Sequence, residues 1–364
     1  MAEETRKRKA DHIKICLEEK AQARRVTTGF ENLHLIHKAL PEVDRARIDL
    51  STTVLGHKFN APIIVGAMTG GTEEATMINA NIAQTVEKLG LGMGVGSQRA
   101  AIENKRLAET FAVARKKAPN AFLIANVGGV QLVHGYGLKE VKKAMDMIEA
   151  DAVAIHLNAL QEAVQPEGQT NFAGALAQIT ELARALDKPV IVKETGAGIA
   201  AEDAQKLEAA GVKAIDVGGA GGTSFAAVEY YRSEREERRF QAEAFWDWGI
   251  PTAVSLVEAT QAVKIPVIAS GGLRTGIDVA KALSLNASLC SVSQPILEAA
   301  VKSAKDTEKT LTCFAEELRN AMFLVGAKKI EDLAKTPIVI MGKTAKWLTA
   351  RGFNVEGYAR RGAS

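Results

Sequence analysis

The sequence predicts an α/β fold: an eight-stranded (β/α)8 TIM barrel with N-terminal and C-terminal extensions. Eight short apolar runs recur along the chain without apolar–polar alternation, as strands covered on both faces require. Helix-like stretches separate most of these runs, and no block of strands stands alone. Glycine or a small polar residue follows nearly every run. A doubly wound open sheet concentrates its glycines in one first turn, whereas this spread suits a barrel whose C-terminal mouth is one large site.

Residues 1–60 are polar, charge-rich and weakly periodic, and are assigned to an N-terminal extension covering the barrel mouth. The texture changes at Ala61. The first strand run is APIIVGAMTGG (61–71), followed by a helix over 75–89 that the pair Leu89-Gly90 stops. LGLGMGVGSQR (89–99) leads to a helix over 104–118, and AFLIANVGG (121–129) to one over 138–149. AVAIHLN (152–158) precedes a helix over 173–186. PVIVKETGAG (189–198) precedes one over 201–210 that ends at Ala210-Gly211. AIDVGGAGGTS (214–224) is the sixth run. After it, residues 229–249 are charged and then aromatic, too long for a plain loop, and read as a helical insertion over the mouth or at a subunit contact. Its Trp246 and Trp248 are expected to pack rather than to hold ligand. A helix over 254–263, IPVIASGGLRTG (265–276), a helix over 277–285 and LCSVSQP (289–295) complete a barrel spanning 61–304. From 305 onward an amphipathic helix pair with TPIVIMG between its members forms a C-terminal extension against the barrel's outer face.

The chain of 364 residues is 47% hydrophobic and 24% charged, which excludes disordered, collagen-like and disulfide-scaffold classes. A net charge of +3 does not suggest bulk nucleic-acid binding. Cys16, Cys290 and Cys313 are scattered and have no CxxC spacing, as in a reduced, cytoplasmic protein. No secretory h-region is seen, and no apolar run approaches the ~18 residues of a membrane span.

Polar residues at strand ends are the strongest chemical signal, because the C-terminal ends of barrel strands face the active site. They are Thr69, Ser97 with Gln98 and Arg99, Asn126, His156 with Asn158, Lys193 with Glu194, Thr223 with Ser224, and Gly272 with Arg274. A strand end is also polar wherever a turn follows, but turns alone do not explain so many such residues, a lysine, an arginine and a histidine among them. GGAGGTS (218–224) and SGGLRTG (270–276), with Ser293-Gln294 nearby, resemble the phosphate corner of a barrel. Neither a Walker loop nor an opening GxGxxG is present. Lys193 is a Schiff-base nucleophile, a phosphate clamp or a fixed charge beside a cofactor. RKRKADH (6–12) offers Arg8, Lys9 and His12 either as a diphosphate grip or as a solvated basic tail. Gln161 and Glu162 bring an amide and a carboxylate to the mouth, the donor type a hard cation takes, or else Glu162 merely starts a helix. No His/Cys cluster has zinc spacing.

RKADHI, APIIVGAMTGG, GVGSQR, HLNALQEAVQPEGQTNF, PVIVKETGAGI, DVGGAGGTSFAAVEYYR, EAFWDWGIPT and ASGGLRTGIDVAKAL resemble the type 2 isopentenyl diphosphate isomerases, from about Arg8 to Ala327. The LQE and FWDWGIPT segments make the resemblance specific. It implies a barrel that interconverts isopentenyl and dimethylallyl diphosphate. It also implies FMN in its reduced form, supplied by NADPH, working as an acid/base, together with Mg2+. It places FMN contacts on Ala67, Met68, Thr69, Ser97, Asn126, Lys193, Thr223, Gly272, Leu273, Arg274, Ser293 and Gln294. Substrate contacts fall on Arg8, Lys9, His12, Ser97, Gln98, Arg99, His156, Asn158 and Gln161, and the Mg2+ ligand on Glu162. His156, Gln161 and Lys193 are the residues expected to be catalytic. A homotetramer or larger homo-oligomer is also implied, with no nucleic-acid or membrane partner. Ala159 stands where the family usually has Pro, and Ser291 and Ser293 replace smaller residues of the family's usual pattern. The rivals are an FMN-dependent 2-hydroxy-acid oxidase, which needs no LQE site, and a non-catalytic FMN- or prenyl-diphosphate-binding barrel.

Overall fold

A computed structural model describes residues 11–18 and 20–362. Eight parallel strands close a barrel: β1 Ile63–Val65, β2 Gly92–Gly94, β3 Phe122–Gly128, β4 Ala152–Leu157, β5 Val190–Glu194, β6 Ala214–Asp216, β7 Val267–Ser270 and β8 Leu289–Val292. β8 closes onto β1 in the register Cys290↔Ile63 and Val292↔Val65. The eight predicted runs are these eight strands, and the predicted intervening helices are present, among them Glu73–Leu89, Ala175–Ala185, Ala201–Ala209 and Gly276–Ser284.

Strand parity sorts the side chains into two layers. Ile63, Val65, Val153, Ile155, Val190 and Val192 point outward into the large core shared with the helices. Ile64, Ile124, Ala152, Ala154, Ile191, Ala214, Ile268 and Leu289 point inward and fill the lower barrel. Two residues beyond the last inner residue of each strand the chain must therefore face the mouth, and this rule positions the site.

The N-terminal extension is split between the two ends of the barrel. Residues 11–18 are helical and reach the mouth, whereas the hairpin Thr52–Val54/His57–Phe59 lies at the other end. The expectation that all of 1–60 covers the mouth is corrected on this point. Val54 and Phe59 are apolar and complete the inner layer, with the Phe59 and Phe122 rings 5.5 Å apart, so the hairpin plugs the bottom. Its turn, Leu55-Gly56, has φ of 52° and 79°, a pairing that suits a tight two-residue hairpin.

The predicted insertion consists of Phe225–Arg232 and Glu236–Ala244. Trp246 packs against Tyr230 and Tyr231, whereas Trp248, 62% exposed, packs edge-on against Phe245 at 5.6 Å. In the C-terminal extension the long helix Ala304–Val325 packs on Gly276–Ser284 and Glu73–Leu89. TPIVIMG is more than a connector: Ile338–Ile340 pairs antiparallel with Leu33–Leu35 and ties the two extensions together. No helix among the described residues is long and apolar enough to cross a membrane.

Candidate active site

The mouth holds a cavity of about 270 Å³. The parity rule delivers Gly66, Asn126, His156, Lys193, Asp216, Ser270 and Ser291 to its wall, each two residues past an inner apolar one. Ala67, Met68, Thr69, Ser97, Arg99, Asn158, Gln161, Glu162, Thr223, Gly272, Leu273, Arg274, Ser293, Gln294 and His12 also line it. Arg8 and Lys9 lie outside the described residues.

Gln98 does not reach the cavity. It is fully buried behind the wall, where its Nε2 donates to Ala144 O at 2.8 Å and its Oε1 accepts from Asn126 N at 2.9 Å. Expected as a substrate contact, it instead braces Asn126. The amide then sets the histidine. Asn126 Nδ2 donates to Val95 O at 3.1 Å, which leaves Oδ1 to accept from His156 Nδ1 at 2.8 Å. That bond assigns the proton to Nδ1.

On the β4 side, Asn158 Nδ2 donates to Gln161 Oε1 at 3.2 Å and to Glu162 Oε1 at 3.0 Å. Glu162 is buried, and its Oε2 accepts from Gln165 Nε2 at 2.8 Å and Gln169 N at 2.6 Å. These donors are neutral amides, so among the described residues no cationic side chain occupies the carboxyl oxygens, which are the donor type a hard cation takes. Among the described residues no group of three His, Cys, Asp or Glu could hold a metal ion alone.

Glu229 was missed from the sequence, where it appeared only as the start of a charged segment. Its side chain is fully buried and joins the helical residues 11–18 to the mouth. Oε1 accepts from His12 Nε2 at 3.1 Å and Gln161 Nε2 at 3.2 Å, and Oε2 from Arg232 Nε at 2.6 Å. Burial alone would raise its pKa, but His12 and Arg232 hold it below the usual carboxylate value. Parity could have found two further residues, Asp216 and Ser270. Ser270 Oγ donates to Asp216 Oδ1, and Asp216 is the register neighbour of Lys193. Burial raises the Asp216 carboxyl, against the opposing charge of Lys193. Lys193 Nζ donates to Glu194 O at 2.7 Å. The Glu194 carboxylate turns back on its own chain and takes the N–H groups of Thr195 and Gly196 at 2.6 Å and that of Ala197.

On the β7–β8 side the glycines have two uses. Gly271 and Gly272 have φ of 100° and 77°, which presents successive N–H groups in a turn. A side chain on Gly221 or Gly272 would also strike Thr28, because residues 21–28 cross both loops as a strap. The strap is bonded through Ala23 N to Gly222 O and Ser224 N to Ala21 O. Ser291 and Ser293 fit because Gly66 faces them: a Cβ there would collide with both hydroxyls. Ser293 starts the helix Gln294–Lys302 without a side-chain cap. Pro295 has no N–H, and the N–H groups of Ile296 and Leu297 both bond Ser293 O, so in the first turn the N–H of Gln294 is the one left to face an anion.

FWDWG is the clamp for the strap. Asp247 Oδ1 accepts from the N–H groups of Arg24, Arg25 and Val26 at 2.7, 2.9 and 3.3 Å. Those bonds hold its pKa low, although burial pulls the other way. Trp246 Nε1 donates to Gln22 O at 2.9 Å, and the Arg24 guanidinium lies 3.4 Å over the Trp246 ring.

The family model described as FMN-dependent dehydrogenase matches residues 1–124 and 129–340. An isopentenyl-diphosphate delta-isomerase of Methanosarcina barkeri is 48% identical over 367 residues, covering 100% of both chains. One from Archaeoglobus fulgidus is 49% identical over 348 residues, covering 96% of this chain and 99% of the relative. Among solved structures, a protein described as a lactate oxidase of Pediococcus acidilactici superposes with a TM-score of 0.65 at 19% identity, over 94% of each chain. A mandelate oxidase does so with a TM-score of 0.60 at 18% identity, over 93% of this chain and 98% of the other. At those identities the oxidases show the barrel fold alone. The near-half identity over the full length shows more: this chain belongs to the isopentenyl-diphosphate delta-isomerases of the type 2, FMN-dependent family.

Proposed function

We propose that this protein interconverts isopentenyl diphosphate and dimethylallyl diphosphate, with reduced FMN bound at the barrel mouth and Mg2+ accompanying the diphosphate. The observation that carries it is one cavity with two unlike halves: a cradle for a phosphate on β7–β8 and the amide–carboxylate cluster of Asn158, Gln161 and Glu162 on β4.

The residues present fit a flavin. Thr69 Oγ1 is buried without a hydrogen-bond partner among the described residues, and Thr69 lines the cavity together with Ala67 and Met68. Gly272, Leu273, Arg274, Ser293 and Gln294 would take the phosphate, Thr223 and Ser97 the groups nearby, and Asn126 and Lys193 the ring edge. FMN, once reduced by NADPH, supplies a proton-transferring group with no net redox change.

The isomerisation adds a proton to the terminal alkene carbon and removes one from the carbon next to the CH2 bearing the diphosphate, so atoms and electrons balance. The intervening tertiary cation needs negative potential and few nucleophiles. Lys193 would hold negative charge on the flavin side. His156, fixed by Asn126, and Gln161, fixed by Asn158 and Glu229, would orient the hydrocarbon and its protons. Glu162 would hold Mg2+, with the diphosphate supplying further oxygens. Arg8, Lys9, His12 and Arg99 would offset the remaining charge. Gln98 acts behind the wall. A cytoplasmic homotetramer or larger assembly, without nucleic-acid or membrane partners, belongs to the same reading.

The test is direct. Purified protein with FMN, NADPH, Mg2+ and isopentenyl diphosphate should form dimethylallyl diphosphate. No product under anaerobic, reduced conditions would refute the reading.

A further inference from the structure

The strap is more than a cover. Its Gln22 sits half-buried between two residues assigned to the flavin corner. Gln22 Oε1 accepts from Arg274 Nη2 at 2.7 Å, and Gln22 Nε2 reaches Thr223 Oγ1 at 3.4 Å. The backbone of Gln22 is itself fixed: it bridges Thr223 in an antiparallel pair, and its carbonyl accepts from Trp246 Nε1. Among the described residues the guanidinium makes one other hydrogen bond, from Nη1 to Leu273 O at 3.3 Å, while the backbone N–H of Arg274 donates to Asp278 Oδ2 at 3.0 Å. Both acceptors of the guanidinium are neutral. They orient the guanidinium without cancelling its charge, which is what an anion site needs. A carboxylate at position 22 would instead occupy the fork.

We propose that Gln22 is a positioning residue for the cofactor: its amide aims Arg274 at the phosphate and joins the strap to the flavin corner. The proposal rests on reading this cavity as an FMN site. It has a structural consequence. The strap continues upstream into the segment that places His12 on Glu229, so a filled phosphate corner and an ordered substrate-side segment support each other.

The experiment compares FMN with riboflavin, which lacks the phosphate, on full-length protein stripped of flavin. Binding is read from the change in flavin fluorescence. Gln22→Met keeps the length and bulk of the side chain but neither hydrogen bond. It should weaken FMN about tenfold, the usual cost of removing a hydrogen bond to a charged group, and leave riboflavin unchanged. Gln22→Glu should weaken FMN further, and the added loss should shrink at high salt. FMN should also slow tryptic cleavage after Arg24 and Arg25 in the wild type and do so less in Gln22→Met. Equal FMN affinity in wild type and Gln22→Met, or equal losses for FMN and riboflavin, would overturn the role of Gln22 alone. Absence of saturable FMN binding by the wild type would overturn the flavin reading and this role with it.

Discussion

Glu194 is the residue whose chemistry is most at odds with its surroundings. Burial pushes its carboxyl up to about 7, even though three backbone N–H groups and Lys193 favour the anion. A carboxyl whose pKa rises on folding binds its proton more tightly in the native state. Its contribution is therefore most favourable below its ordinary value of 4.5 and is lost as pH rises through 7. Glu194→Gln keeps an acceptor and removes the titration. In urea unfolding of flavin-free protein, its stability relative to wild type should improve by about 3 kcal/mol between pH 4.5 and 7 and then level off. A pH-independent difference would show that Glu194 is ionised throughout. The residues of this site were legible to the extent that strand parity governs them. His156, Lys193 and Asn126 follow inner residues by two, and the same rule reaches Asp216. Gln98 lies beyond the end of β2, where the chain turns and parity lapses, so its burial had no local signal. Glu229 and Gln22 owe their roles to partners such as Gln161 and Arg274, 68 and 252 residues away along the chain, which no short pattern records.

Among the elements, the eight strand runs announced themselves because each is apolar on both faces and ends in a turn signal. The extensions did not. The hairpin ending in Phe59 has two short strands, and only the empty lower barrel explains why Val54 and Phe59 point where they do. Ile338–Ile340 likewise is a strand only because Leu33–Leu35 offers an edge. FWDWG could be recognised as unusual, but its use as a strap clamp needs the fold. Asp247 supplies the acceptor for three consecutive backbone N–H groups, so Asp247→Ala leaves them to solvent and releases residues 24–26. Tryptic cleavage after Arg24 and Arg25 should accelerate roughly tenfold, the scale of one or two lost charge-assisted bonds. The KM for isopentenyl diphosphate should rise more than kcat falls, because His12 lies on the same segment. Asp247→Asn should restore part of both. Unchanged cleavage and KM would mean that Trp246 and the bridge at Thr223 hold the strap unaided.

For the molecule as a whole, the barrel separates stability from chemistry along its axis. The lower end is filled by the inner apolar layer and plugged by the hairpin, and the upper end carries every polar group discussed above. A related barrel that oxidises a 2-hydroxy acid must pass two electrons to an acceptor in each cycle. The reaction proposed here joins two isomers, so no electrons leave. That difference decides between the two uses of one fold without reference to any single residue. NADPH should therefore be needed once, to prime the protein, and dimethylallyl diphosphate should then accumulate far beyond the NADPH consumed under anaerobic conditions. Dithionite should replace NADPH. In D2O the new methyl group should carry deuterium, because the added proton comes from a site that exchanges with solvent. Omitting Mg2+ should raise KM strongly, since Glu162 and the diphosphate would meet without a cation between them. NADPH oxidised in step with product, or full activity with oxidised FMN and no reductant, would place this barrel among redox enzymes instead.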